Sequence, residues 1–216
     1  MARRPGQVRW LPRWWRDHDA MPWTLRLPPW PYEAMVAVAG RLRPRDRAFG
    51  FGVDSVLWLE GLGAEVTCVE HRAEWCALLS PLVAGSTTLS LVEPELTGLL
   101  RSSSMPGFFD LYVDRVRSQP DASFDVVVVE GRARVACAVA SADKIRPGGI
   151  LVLADPERDG YRAVHDRFGD WPSTTHAGLT PGGGVASVTI WANPARPGRT
   201  AAAGHPPARG DARRRG

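Results

Sequence analysis

FDVVVVEGRARVACAVASADKIRPGGILVLAD, residues 124–155, reads as strand, turn, helix, turn and strand in 32 residues. Phe124–Val129 is a continuous apolar run with four successive valines, the pattern of a central parallel strand buried on both faces. Arg132–Ile145 places Val135, Ala138, Val139, Ala142 and Ile145 at helical spacing, and Pro147-Gly148-Gly149 then turns the chain into a second buried strand, Ile150–Ala154. Two apolar strands joined through a helix form a βαβ unit, so the surrounding sheet is expected to be mainly parallel.

Outward from this unit the alternation continues. Upstream, Tyr32–Leu42 reads as a helix, Ala48–Phe51 as a short strand, Ser55–Leu62 as a helix ended by Gly63, and Glu65–Val69 as a valine- and threonine-rich strand. His71–Leu79 is helical, and a third strand falls near Thr87–Val92. Residues 94–120 show the weakest pattern, loop with a helix around Phe109–Val116. Downstream come a helix near Tyr161–Phe168 and two strands, Ser173–Gly178 and Val185–Trp191, whose connection at Thr180–Gly184 suits a hairpin. The expected fold is one α/β domain with a doubly wound, mainly parallel sheet and a C-terminal antiparallel hairpin. It spans 32–193, after a Trp/Pro/Arg-rich arm at 1–31 and before an arginine-rich, disordered tail at 194–216.

The chain has 216 residues, enough for one substantial core, with ordinary apolar and charged fractions. Its formal charge of +4 comes from the ends: five arginines and no acid in 1–16, six arginines against Asp211 in 194–216, leaving about −6 for 17–193. A folded face made for nucleic acid would be basic, so the domain is not expected to bind one. Cys68, Cys76 and Cys137 form no paired framework, no apolar run is long enough to span a bilayer, and no secretory signal is read. A reduced, cytoplasmic protein is the default expectation. In the arm, Pro22, Pro28, Pro29 and Pro31 disfavour a helical membrane anchor. The arm reads as a disordered leader, a lid over the substrate pocket or an interfacial segment; packing of Trp23 and Trp30 on the domain, with 1–16 mobile, is favoured.

Ligands of open α/β sheets bind beyond the carboxyl ends of the strands, where the winding reverses. The loops concerned are Gly50–Ser55, Glu70-His71, Glu130–Arg134 and Asp155–Arg158. In Gly50-Phe51-Gly52-Val53-Asp54-Ser55 the glycines let a ligand approach the backbone at a helix N-terminus. Any tight strand-to-helix turn uses Gly, and a dinucleotide fingerprint would want a third where Ser55 stands. Glu70 follows Gly52 by 18 residues, near the spacing at which an acid meets a ribose diol. A solvated glutamate at a strand end is the bland alternative. Spacing alone does not separate a nicotinamide cofactor from S-adenosylmethionine.

FGFGVDSVLWLEGLGAEVTCVEHRAEW, residues 49–75, resembles the cofactor-binding half of class I S-adenosylmethionine-dependent methyltransferases. The nearer resemblance is to a bacterial subgroup that follows the adenosine acid with His and then Glu-Trp. Residues 124–155 resemble that subgroup's fourth strand, D-G-R-x-R turn and fifth strand, and "MPW" at 21–23 and the "GLTP…VTIW" hairpin also fit. The resemblance covers roughly 20–192 and implies the strand order 3-2-1-4-5-7-6 and S-adenosylmethionine as cofactor. It implies cofactor contacts from Gly50, Phe51, Gly52, Asp54, Ser55, Glu70, His71, Glu130 and Gly131. Gly50 stands where the family has an acid, Asp54 replaces a glycine, the loop is one residue short, and Glu130 replaces Asp. The glycine-rich loop is thus degenerate.

Methyl transfer needs orientation of two reactants and, for an unactivated hydroxyl, a general base. Glu130 is the first candidate and Asp155 the second, with a helix N-cap as the alternative for Asp155. Arg132 and Arg134 suit a phosphate or carboxylate on a substrate, or else pair with Glu130 or stay exposed. His71 lines an adenine or caps the following helix. Glu130 and Asp155 resemble the metal carboxylates of catechol-type methyltransferases, but Pro156 stands where those have Asn, so no metal is expected. The expected activity is methylation of a small-molecule or sugar-like substrate. The alternative is a catalytically inactive binding or scaffold protein, and a nicotinamide oxidoreductase stands third.

Overall fold

The computed structural model describes residues 27–158 and 160–194. Trp10, Trp14, Trp15 and Trp23, the motif at 21–23 and the tail from 195 lie outside the described residues. The elements in chain order are α1 (Tyr32–Ala39), β1 (Arg47–Phe51), α2 (Val56–Gly61), β2 (Glu65–Glu70), α3 (Ala73–Leu79) and β3 (Thr88–Leu91). They continue with β4 (Arg101–Ser102), β5 (Met105–Phe108), α4 (Asp110–Arg117), β6 (Phe124–Val129), α5 (Arg134–Ser141) and β7 (Ile145–Ala154). α6 (Arg162–Arg167), β8 (Ser173–Leu179) and β9 (Val185–Ala192) complete the set.

Seven strands form one sheet in the order β3-β2-β1-β6-β7-β9-β8, parallel except for β9, which runs antiparallel to both β7 and β8. With the separate β4–β5 hairpin set aside, this is the expected order 3-2-1-4-5-7-6. Its switch point lies between β1 and β6, from which successive strands are added outward to opposite edges of the sheet.

β6 is central because its alternate valines serve two cores. Val127 and Val129 join Phe49, Phe51, Leu151 and Leu153 under α4, α5 and α6. Val126 and Val128 join Ala48, Ile150 and Val152 under α1, α2 and α3. All four are essentially inaccessible, and each such burial stabilises by roughly 1.5–3 kcal/mol. No strand with a polar face could occupy that place.

Two expectations are corrected. Pro147-Gly148-Gly149 is not a turn before the fifth strand: β7 begins at Ile145 and contains the three residues as an irregularity, pairing Phe124 with Ile145 and then Val126 with Ile150. The stretch 94–120 holds, besides α4, a short hairpin of β4 and β5 that the sequence did not suggest. Helices are generally shorter than their periodicity predicts; α5 ends at Ser141 and gives way to a 3-10 turn, Ala142–Lys144. Among the described residues no helix is long and apolar enough to cross a membrane.

Candidate functional site

At the carboxyl end of β1 the chain must turn sharply into α2, and Gly52 takes φ +97°, a conformation L side chains rarely adopt. A Cβ there would stand 3.1 Å from the Gly131 nitrogen. Gly131 is under the same pressure, since its own Cβ would meet the Tyr112 hydroxyl at 2.3 Å and the Phe51 carbonyl oxygen at 3.0 Å. The N–H groups of Glu130 and Gly131 both donate to that carbonyl, at 3.1 and 2.6 Å. The loops after β1 and β6 therefore close on one another, backbone to backbone. Gly50 and Phe51 belong to β1 itself. Gly50 pairs with Cys68 and Val128, and the Phe51 ring packs on Phe49 and Tyr112.

Glu70 ends β2 and is 3% exposed. Its Oε1 accepts from the backbone N–H groups of His71 and Arg72, both at 2.8 Å, which fixes the carboxylate against the turn that leads into α3. Oε2 takes no hydrogen bond from the described residues. The His71 ring lies beside it, Nδ1 at 2.8 Å from Oε1, and meets the rings of Phe109 and Tyr112 edge-on. His71 Nε2 and the Tyr112 hydroxyl are buried and have no hydrogen-bond partner. Burial pushes the Tyr112 phenol well above its ordinary range; the Arg132 backbone N–H nearby opposes this without reaching hydrogen-bond geometry.

Glu130 is turned toward Trp30 and the start of α2. Its Oε1 accepts from Ser55 N at 2.8 Å and Ser55 Oγ at 2.7 Å, and its Oε2 from Trp30 Nε1 at 3.0 Å. The carboxylate thus ties β6 to the start of α2 and to Trp30, which packs edge-on against Trp58. Burial, and then the neighbouring Asp54, push Glu130 up to about 8, against the pull of three donors that favour the ionised form. Asp54 is half-buried in the same turn. Desolvation and the Glu70 charge raise it to about 6, while Arg134, Arg132 and His71 act in the other direction.

Arg134 pairs with Asp155 at 3.0 Å, not with Glu130, and also donates to the carbonyls of Gly131 at 3.0 Å and Ala154 at 2.7 Å. Asp155 additionally binds Arg158. It does not cap a helix: α6 starts at Arg162, with Tyr161 at its N-cap. Arg132 donates to Ser104 Oγ at 3.0 Å, while its Nε is buried without a partner. Among the described residues, no group of three or more His, Cys, Asp or Glu is arranged to hold a metal ion.

Asp54, Ser55, Glu70, His71, Glu130, Gly131, Arg132 and Arg134 are thus drawn from three loops to one rim, between β2, β1 and β6. The sequence reading missed Trp30 as the partner of Glu130, and Phe109 and Tyr112 as the rings over His71. Phe109, Tyr112, Val113 and Val116 stand at helical spacing and are all buried, a pattern that could have pointed to them.

No protein-family model matches the chain, and no curated protein matches it in sequence. Among solved structures it is similar to the [4+2]-cyclase SpnF, with a TM-score of 0.52 and 10% identity over 80% of this chain and 88% of that one. It is also similar to the precorrin-6y C5,15-methyltransferase of Geobacter metallireducens (TM-score 0.49, 15% identity, 74% and 88% of the two chains). A third is the 1,6-didemethyltoxoflavin-N1-methyltransferase of Burkholderia thailandensis, crystallised with 1,6-didemethyltoxoflavin and S-adenosylhomocysteine (0.46, 13%, 76% and 77%). The fold, a doubly wound, mainly parallel seven-stranded sheet with a C-terminal antiparallel pair, is what these likenesses share with the chain. At these identities the likeness is one of architecture, and it rests on the strand order as much as on any single neighbour.

Proposed function

We propose that the protein is an S-adenosylmethionine-dependent methyltransferase acting on a small molecule. The observation that carries this reading is the carboxylate of Glu70, held at the edge of the switch point by two backbone N–H groups on one oxygen, with the other left for a ligand. A ribose diol is a pair of donors matched to such an oxygen. The rim fits an adenosyl group in two further respects. His71 Nε2 and the Tyr112 hydroxyl are buried polar atoms without partners, and a group left so costs about 1–3 kcal/mol unless a ligand or water satisfies it. Gly52 and Gly131 present backbone rather than side chain.

In this reading Glu70 binds the ribose, His71 and Tyr112 border the base, and Gly52, Asp54, Ser55 and Gly131 face the amino-acid end. The cofactor, when bound, supplies the activated methyl group. The chain contributes position and exclusion of water. Neither Glu130 nor Asp155 is placed to accept a proton from a bound acceptor, because the first is turned to Ser55 and Trp30 and the second is shared by two arginines. Their roles are to hold Trp30, α2 and the arginines in place. The acceptor is accordingly one that does not depend on either carboxylate for deprotonation.

The same observations favour a second reading, a binding or scaffold protein that keeps the fold without the reaction. The contact of Gly52 with Gly131 and the bond from Gly131 N–H to the Phe51 carbonyl occupy the space between the β1 and β6 loops. Thermal unfolding of the full chain with S-adenosylhomocysteine separates the two. A ligand at a hundred times its Kd stabilises by about 2.7 kcal/mol, which for a domain of this size raises Tm by roughly 5–10 °C. A concentration-dependent rise is expected; an unchanged Tm at millimolar ligand would favour the scaffold.

A further inference from the structure

Beside the rim, a cavity of about 490 Å³ opens between the β4–β5 hairpin, α5 and the segment leading into α6. It has five arginines in its lining, Arg101, Arg117, Arg132, Arg134 and Arg158, and no acidic residue lines it among the described residues. They come from separate places in the chain: the hairpin, α4, the turn after β6 and the loop after β7. Like charges gathered this way repel unless something offsets them.

The offset inside the protein is partial. Asp155 serves both Arg134 and Arg158, and Asp114 pairs with Arg117 at 2.9 Å. Arg101 lies over the Phe108 ring, 4.3 Å from its centroid, an attraction that neutralises nothing. Arg132 touches only the neutral Ser104 hydroxyl and keeps a buried, unbonded Nε. Five arginines thus line a space against two paired carboxylates, Asp155 and Asp114, with Asp54 a further partial offset for Arg134 and Arg132.

Two backbone features aim them. Ala133, between Arg132 and Arg134, has φ +48°, and Asp155, which orients Arg134 and Arg158, has φ +49°. Neither is glycine, so each turn carries a cost on the order of 1–3 kcal/mol that the surrounding structure must offset. The opposite wall, from Val135, Ala136 and Val139 of α5 with Tyr161, is apolar or aromatic. A ligand of this site has a strongly charged end for the guanidinium forks and a ring or carbon frame for the wall.

We infer that this cavity binds a phosphorylated small molecule, its phosphate held by Arg101 and Arg132 with Arg134 and Arg158 behind them. Planar guanidinium forks match phosphate oxygens two at a time, and the excess positive charge suits a dianion better than a single carboxylate. Because Gly131 belongs both to the cavity and to the cofactor rim, the phosphate would anchor an acceptor next to the reactive end; that role rests on the methyltransferase reading, whereas binding itself rests on the cavity alone.

Calorimetric titration of the full chain at low ionic strength tests it, with ribose 5-phosphate and inorganic pyrophosphate as probes. Saturable binding that weakens with added salt is expected. Arg101→Gln and Arg132→Gln should each raise Kd about tenfold, as expected for one charge-assisted contact. Arg41→Gln, an exposed arginine away from the cavity, should leave Kd unchanged. Absence of saturable binding by folded protein overturns the inference, as does equal weakening by Arg41→Gln, or malonate binding as tightly as pyrophosphate. Phosphate binding in a chain that ignores S-adenosylhomocysteine would sink the cofactor reading and leave this one standing; the converse result would do the opposite.

Discussion

Glu130 concentrates the residue-level physics of this protein. Its side chain, one methylene longer than Asp, reaches Ser55 and Trp30 together, and Trp30 is a hundred positions away. Burial raises its proton affinity, so it titrates from about 8 in the folded protein against an ordinary 4.5. Folding then takes up a proton between those limits, and stability falls as pH rises from about 4.5 to about 8. Glu130→Gln cannot ionise, so wild-type Tm should drop relative to Glu130→Gln as pH is raised from 5 to 8. Parallel Tm curves would contradict the raised affinity. Glu70 could be placed by counting from Gly52, since a strand end is local. The partners of Glu130 could not, because a contact across 100 residues depends on how the sheet assembles.

Among the elements, β6 and the turn after it were the most legible, because four consecutive valines have no other stable home than the middle of a two-faced sheet. The β4–β5 hairpin was hidden: β4 has two residues, β5 contains Pro106 and Gly107, and neither supplies an alternation to read. Its absence from the sequence reading also concealed most of the arginine cavity, whose members meet only when the hairpin folds over α5. The contact of α4 with the β6 turn makes its own prediction. Gly131→Ala should destabilise the protein by about 1–3 kcal/mol, since its Cβ collides with the Tyr112 hydroxyl. Tyr112→Phe removes that buried, unpartnered hydroxyl and should leave stability unchanged or higher. Combined, the two substitutions should cost less than their sum in urea unfolding; strict additivity would mean that the hydroxyl is not what confines Gly131.

Across the whole molecule, charge and architecture divide the work. The basic ends give the chain its net +4, while the domain between them is acidic overall yet gathers five arginines at one cavity. Sheet order, switch point and hairpin set where a ligand can lie; the residues brought there, from loops after β1, β2 and β6, set which one. The carboxylate and imidazole at the end of β2 meet the Tyr112 phenol only because α4 packs against that end of the sheet. The measurement that bears most directly on the account is calorimetric titration of S-adenosylmethionine into the full-length wild type and Glu70→Ala, each checked for folding by circular dichroism. Saturable binding by the wild type and at least a tenfold loss in Glu70→Ala is the predicted result. No heat from folded wild type at millimolar ligand, or equal affinity in the two proteins, would contradict it.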